Sequence, residues 1–79
     1  MRTAVEAIPQ RVHLVGVGGI HMSGIAQVLR ARGHRVSGSD LYLTPLTEKL
    51  EAIGVTVSRG HDAANVGEAE LVVYTSAAH

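Results

Sequence analysis

Cysteine is absent from this chain, and so are phenylalanine and tryptophan. Without cysteine there are no disulfides, no thiolate metal sites and no cysteine nucleophile. Two tyrosines make up the whole aromatic content, which leaves little for stacking nucleic-acid bases. Neither sign of charge is in excess. Seven acidic residues balance seven basic ones, so the chain makes no broad electrostatic approach to nucleic acid or to an anionic membrane. No apolar run nears the ~20 residues of a membrane span, and the N-terminus lacks a signal-peptide core. The five histidines have no H-x-x-x-H spacing, which argues against a helical metal site. Lysine occurs once, as Lys49, and no G-x-x-x-x-G-K-[ST] phosphate loop is present. What remains is a soluble, cytoplasmic domain of 79 residues, with at most one small core.

What the chain does have is punctuation. After a loose entry segment, residues 1–10, a short apolar run predicts a strand over Val12–Val17. A helix follows from Ile20 to Arg32 and stops at Gly33, with Met22 and Ile25 expected in the core. A second strand spans Arg35–Ser39 and ends at Asp40. Thr44 and Pro45 start a second helix, whose buried stripe should be Leu46, Leu50 and Ile53 before Gly54 ends it. Val55–Ser58 reads as a third strand and Ala63–Val66 as one helical turn. Leu71–Tyr74, apolar on both faces, reads as a fourth strand of the central parallel kind. Alternating strands and helices of this length predict an α/β, Rossmann-like parallel sheet in the order 3-2-1-4 over residues 11–79. A ligand would then sit at the carboxyl ends of strands 1 and 4. Full doubly wound domains carry further strands, so the chain is expected to be a fragment, or one domain of a longer protein.

Between the first strand and first helix lies Gly16-Val17-Gly18-Gly19-Ile20-His21-Met22-Ser23-Gly24. A glycine turn there leaves backbone N–H groups unblocked at the positive end of a helix dipole, which suits a phosphate or diphosphate. The dinucleotide fingerprint wants its third glycine where this chain has His21. Gly24, one turn on, is expected to supply the close helix-to-strand approach instead. Gly18 is expected to let the backbone approach the phosphates. Asp40 falls close to the position, about 20 residues beyond the glycines, of an acid that accepts from ribose hydroxyls. His13, inside the first strand, reads as a satisfied sheet-face histidine, His34 as a solvated turn residue, and Ser23 as a helix-start hydroxyl. Three functions stay open on these residues alone: a binder of a phosphate-bearing ligand, an NAD(P)- or flavin-binding module of an oxidoreductase or a regulatory nucleotide sensor, and a bare scaffold or interaction domain.

Taken together, His13 to Ala26, Val36-Ser37-Gly38-Ser39-Asp40 and Gly60-His61-Asp62 resemble the opening of the Mur ligases. The resemblance runs from about Arg11 to Ala77, with the three motifs in the family's order. It implies an N-terminal UDP-sugar-binding domain of an ATP-dependent ligase of peptidoglycan biosynthesis, one that joins L-alanine to UDP-N-acetylmuramate through an acyl phosphate. By that resemblance Gly16, Gly18, Gly19, Ile20, His21, Met22 and Ser23 lie against the diphosphate. Asp40 and His61 sit near the nucleoside, and Thr75, Ser76 and Ala77 border diphosphate and sugar. The expected partners are UDP-N-acetylmuramate and the remaining ligase domains. ATP and Mg²⁺ would belong to a central domain outside this chain, which would bind but not catalyse. Where the family commonly has glycine, His21 is expected to face away, the alternative being an imidazole on the phosphate.

Overall fold

Two glycine-terminated helices lie on one face of a four-stranded parallel sheet in the computed structural model, which describes residues 8–60 and 66–74. Strands β1 (Arg11–Val15), β2 (Arg35–Asp40), β3 (Thr56–Arg59) and β4 (Leu71–Val73) alternate with helices α1 (Ile20–Ala31) and α2 (Pro45–Ala52) until β3. The sheet order is β3-β2-β1-β4, every pairing parallel, as the alternation predicts. The register sets Val12 beside Val36 and Leu71, and Leu14 beside Gly38 and Val73.

Because side chains alternate across a strand, Val12 and Leu14 face one way and His13 the other. Val12, Leu14 and Val36 form the core with Met22, Ala26 and Leu29 of α1, Leu50 of α2, and Val17 and Val55 from the turns. The helices end alike. Gly33 N–H donates to Arg30 O and His34 N–H to Leu29 O; Gly54 N–H donates to Glu51 O and Val55 N–H to Leu50 O. Each is a Schellman closure, and Val55 packs into the core beside Leu50 as that motif favours. Arg30 Nε donates to Ile53 O at 2.9 Å, tying the end of α1 to the end of α2.

Several expectations shift. Strand β1 stops at Val15 because Gly16 turns the chain at φ +78°, and Val17 drops into the core instead of extending the strand. Helix α1 ends at Ala31, with Arg32 as its cap, and its buried face is Met22, Ser23, Ala26 and Leu29. Ile25 is 44% exposed: the core-facing stripe is rotated toward Ser23. On α2 the buried residues are Thr47 and Leu50, while Ile53 stands past the helix end and is 43% exposed. Thr44 occupies the N-cap position, but Thr47 Oγ1 closes the turn, accepting from Thr44 N–H at 2.8 Å and donating to Thr44 O at 2.7 Å. The Thr44 hydroxyl is buried, with no hydrogen bond within 3.5 Å among the described residues. Strand β3 begins one residue late, at Thr56, and β4 stops at Val73. Strand β4 is an edge strand among the described residues, and its Leu71 and Val72 remain partly exposed. His34 is half-buried rather than solvated, its Nδ1 donating to Pro9 O at 2.8 Å. The turn expected over Ala63–Val66 lies largely outside the described residues. No described helix is long and apolar enough to cross a membrane.

Candidate anion-binding turn at the carboxyl edge

The turn between β1 and α1 is held almost entirely by β2. Gly16 N–H and Val17 N–H both donate to Ser39 O, at 2.7 and 3.1 Å. Gly18 N–H donates to Asp40 Oδ2 at 2.9 Å. Gly19 N–H closes back on Gly16 O at 3.1 Å, and Ser23 N–H reaches Gly19 O at 2.8 Å as the first helical bond. Between them, the N–H groups of Ile20, His21 and Met22 have no acceptor among the described residues. These are the orphan donors that any helix start exposes. Gly19 offers no capping side chain, and the first turn of α1 carries no acidic residue. No side chain of the first turn offsets the partial positive charge of the helix end; the Asp40 carboxylate, held on Gly18 N–H, stands just before it, and Ile20, 79% exposed, marks an open approach. This edge can take an anion with several oxygens.

Two glycines make the geometry possible, for reasons other than those the fingerprint suggests. A Cβ on Gly18 would lie 2.9 Å from Asp40 Oδ2 and 3.3 Å from Thr47 Cγ2. Gly18 therefore makes room for the carboxylate and for α2, a role the fingerprint does not describe. Gly38 is the residue that sequence reading missed. A Cβ there would come within 2.6–2.7 Å of Val17 Cβ, Cγ1 and Cγ2, so its bareness lets the turn sink onto the sheet. Gly24, expected to provide close approach, would meet nothing within 4 Å among the described residues, so it has no such role. The tripeptide Gly38-Ser39-Asp40 thus cradles the turn by space, by carbonyl and by carboxylate. The only signal in the sequence was a small-residue strand ending in an acid.

The remaining expected site residues separate into three groups. Gly16, Gly18, Gly19, Ile20 and His21 line the turn, and the His21 side chain is exposed. Met22 and Ser23 turn their side chains into the core, and Ser23 Oγ donates to Ile20 O at 3.0 Å, so only the Met22 N–H faces the edge. Asp40 serves the turn rather than standing free: besides Gly18, it accepts from Tyr42 N–H on Oδ1 at 3.1 Å, and its carbonyl accepts from Gly60 N–H at 2.7 Å. Each carboxylate oxygen still has lone-pair capacity for a second donor. Beside it, Tyr42, Leu43 and Arg59 line a cleft of about 220 Å³. His61, Thr75, Ser76 and Ala77 lie outside the described residues.

On the sheet face away from the helices, His13 is 1% exposed and bonded at both ring nitrogens, Nδ1 to Ser37 Oγ at 2.8 Å and Nε2 to Ser39 Oγ at 3.2 Å. Burial holds its pKa below the ordinary 6.5, so the ring is neutral at pH 7. This is the satisfied sheet-face histidine that the sequence suggests. No three His, Asp or Glu side chains among the described residues gather as a metal-binding set. The sequence has no G-x-x-x-x-G-K-[ST] loop, and no phosphoryl-transfer step is assigned to these residues.

Comparison with known proteins finds relatives of this chain. The UDP-N-acetylmuramate–L-alanine ligase of Rubrobacter xylanophilus is 57% identical over 67 residues, covering 85% of this chain and 15% of that protein. The ligase of the same name from Salinibacter ruber is 56% identical over 68 residues, 86% of this chain and 14% of its own length. Among solved structures, a murein peptide ligase from Psychrobacter arcticus superposes with a TM-score of 0.79 at 35% identity, over 84% of this chain and 14% of that one. The chain thus spans about one-seventh of the length of these relatives. A family description, Mur ligase family, catalytic domain, matches residues 11–79, and the chain belongs to the Mur ligase family.

Proposed function

We propose that this domain binds the UDP portion of UDP-N-acetylmuramate as the N-terminal part of an ATP-dependent ligase that joins L-alanine to that nucleotide sugar in peptidoglycan synthesis. The observation that carries the reading is the set of three N–H groups, at Ile20, His21 and Met22, that have no acceptor among the described residues, on a helix whose first turn holds no acidic residue. A diphosphate placed there would accept from two or three of them while meeting the positive end of α1. The nucleoside would extend past Asp40 toward the cleft of Tyr42, Leu43 and Arg59, where the carboxylate has capacity to accept from a ribose hydroxyl. The names of the relatives support the substrate; they also disfavour the dinucleotide-oxidoreductase reading that the glycines alone left open. The phosphate donor and its metal would be held by other domains of the parent enzyme. Acting on a nucleotide-linked precursor, the enzyme would work in the cytoplasm.

Titration by calorimetry or NMR shift decides it. UDP-N-acetylmuramate and UDP should bind, weakly in the absence of the enclosing domains, with shifts centred on the amides of Ile20 to Met22. Tighter binding of NAD than of UDP-N-acetylmuramate would overturn the assignment.

A further inference from the structure

His13 is farther from the anion-binding edge than any turn residue, yet its ring reaches toward it. Its register partner on β2 is Ser37, bonded through Nδ1, but Nε2 extends diagonally to Ser39, the next residue on that face toward the carboxyl end. Ser39 is the residue whose carbonyl holds both Gly16 and Val17. A single residue is thus gripped at its hydroxyl by the ring and at its carbonyl by the turn.

We propose that His13 is a positioning residue of the anion-binding turn, acting through Ser39 to aim the free N–H groups of Ile20, His21 and Met22. The inference rests on the diphosphate reading of that turn for its ligand, though not for its geometry. Burying an imidazole is unfavourable unless its polar atoms are bonded, and here both are. An apolar side chain would fill the same space without specifying direction. A neutral ring has one donor and one acceptor, so one serine hydroxyl accepts and the other donates, and sliding β2 along β1 would break both bonds. The tether acts near the carboxyl end of β2, whose next residues, Leu41, Tyr42 and Leu43, are 45%, 70% and 57% exposed.

The test uses the full chain with His13→Leu, which keeps bulk and removes both bonds, and His13→Gln, which keeps a donor and an acceptor. Ser39→Ala removes the other end of the tether. Val36→Ala serves as a control that loosens the core without touching these bonds. Amide hydrogen exchange without ligand should be faster at Gly16 and Val17 in His13→Leu and Ser39→Ala than in Val36→Ala of matched stability, with partial rescue in His13→Gln. At temperatures where each variant is folded, UDP should bind about tenfold more weakly to His13→Leu, as for one lost hydrogen bond, and unchanged to Val36→Ala. If His13→Leu does not fold, Ser39→Ala carries both readouts. Exchange at Gly16 and Val17 that merely follows global stability would overturn the proposal, as would undiminished UDP binding by the folded variants. Wild-type chain that shows the selective exchange but binds no UDP would sink the diphosphate reading and leave the tether standing.

Discussion

Replacing Gly38 by alanine adds one methyl group where the structure has no room for it. The new Cβ would stand 2.6 Å from Val17 Cβ and 2.7 Å from each of its γ-carbons, whereas carbon atoms rest at about 3.5–4.0 Å. Val17 has nowhere to retreat, because its side chain is fully buried and its N–H is tied to Ser39 O. The turn would have to lift off the sheet by nearly an ångström. Overpacking of this kind costs about 1–3 kcal/mol, partly offset by the roughly 0.5–1 kcal/mol that alanine gains over glycine within a strand. With three contacts compressed at once, the clash should prevail, leaving a net loss of about 1–2 kcal/mol. A domain of this size has roughly 4–12 kcal/mol to lose, so the variant should fold but melt roughly 4–16 °C lower.

Thermal or urea unfolding followed by circular dichroism gives the first number. The decisive measurement is the double-mutant cycle with Val17→Ala, which removes two of the three clashing atoms. The pair should cost less than the sum of the single changes by about 0.5–3 kcal/mol. The folded variant should also bind UDP more weakly, since the turn is displaced. Strict additivity, with Gly38→Ala melting alongside wild type, would refute the claim that the turn rests on this glycine.

Gly24→Ala should do the opposite: mid-helix, with open space where its Cβ would go, it should raise stability by about 0.5–1 kcal/mol in the same melts, whereas destabilisation would restore the close-approach role expected from the fingerprint. The pH dependence of stability should carry a His13 signature, because burial lowers its folded pKa below the ordinary 6.5. Above that value the ring is neutral in both states and contributes no pH dependence; as pH falls through 6.5 the unfolded chain takes up the proton first, so stability drops until the lowered folded pKa is reached. Melting temperatures from pH 8 to pH 5 should therefore fall more steeply for wild type than for His13→Gln, and parallel curves would contradict a buried neutral ring.

How far the sequence discloses this molecule depends on whether a feature is local. Strand and helix alternation, the glycine stops at Gly33 and Gly54, and the sheet order were all legible, because turn chemistry and periodicity act over a few residues. The phase of α1 was not. A hydrophobic count favours Ile25, but Ser23 can be buried because its hydroxyl bonds back to Ile20 O, a local device that polarity scales do not register. Asp40 was legible as the acid closing β2 at the carboxyl edge and not as a tether of Gly18, since that bond joins segments far apart in the chain. Gly38 is the clearest case. In the dinucleotide fingerprint the third glycine serves close packing of helix on strand. Here the side chain in its place, His21, is exposed and requires no such space, while the close approach occurs between Val17 and β2 and so requires a glycine on the other strand. Close packing of the β1–α1 turn on the sheet is thus secured by Gly38, on a different segment, and a pattern confined to the loop does not register it.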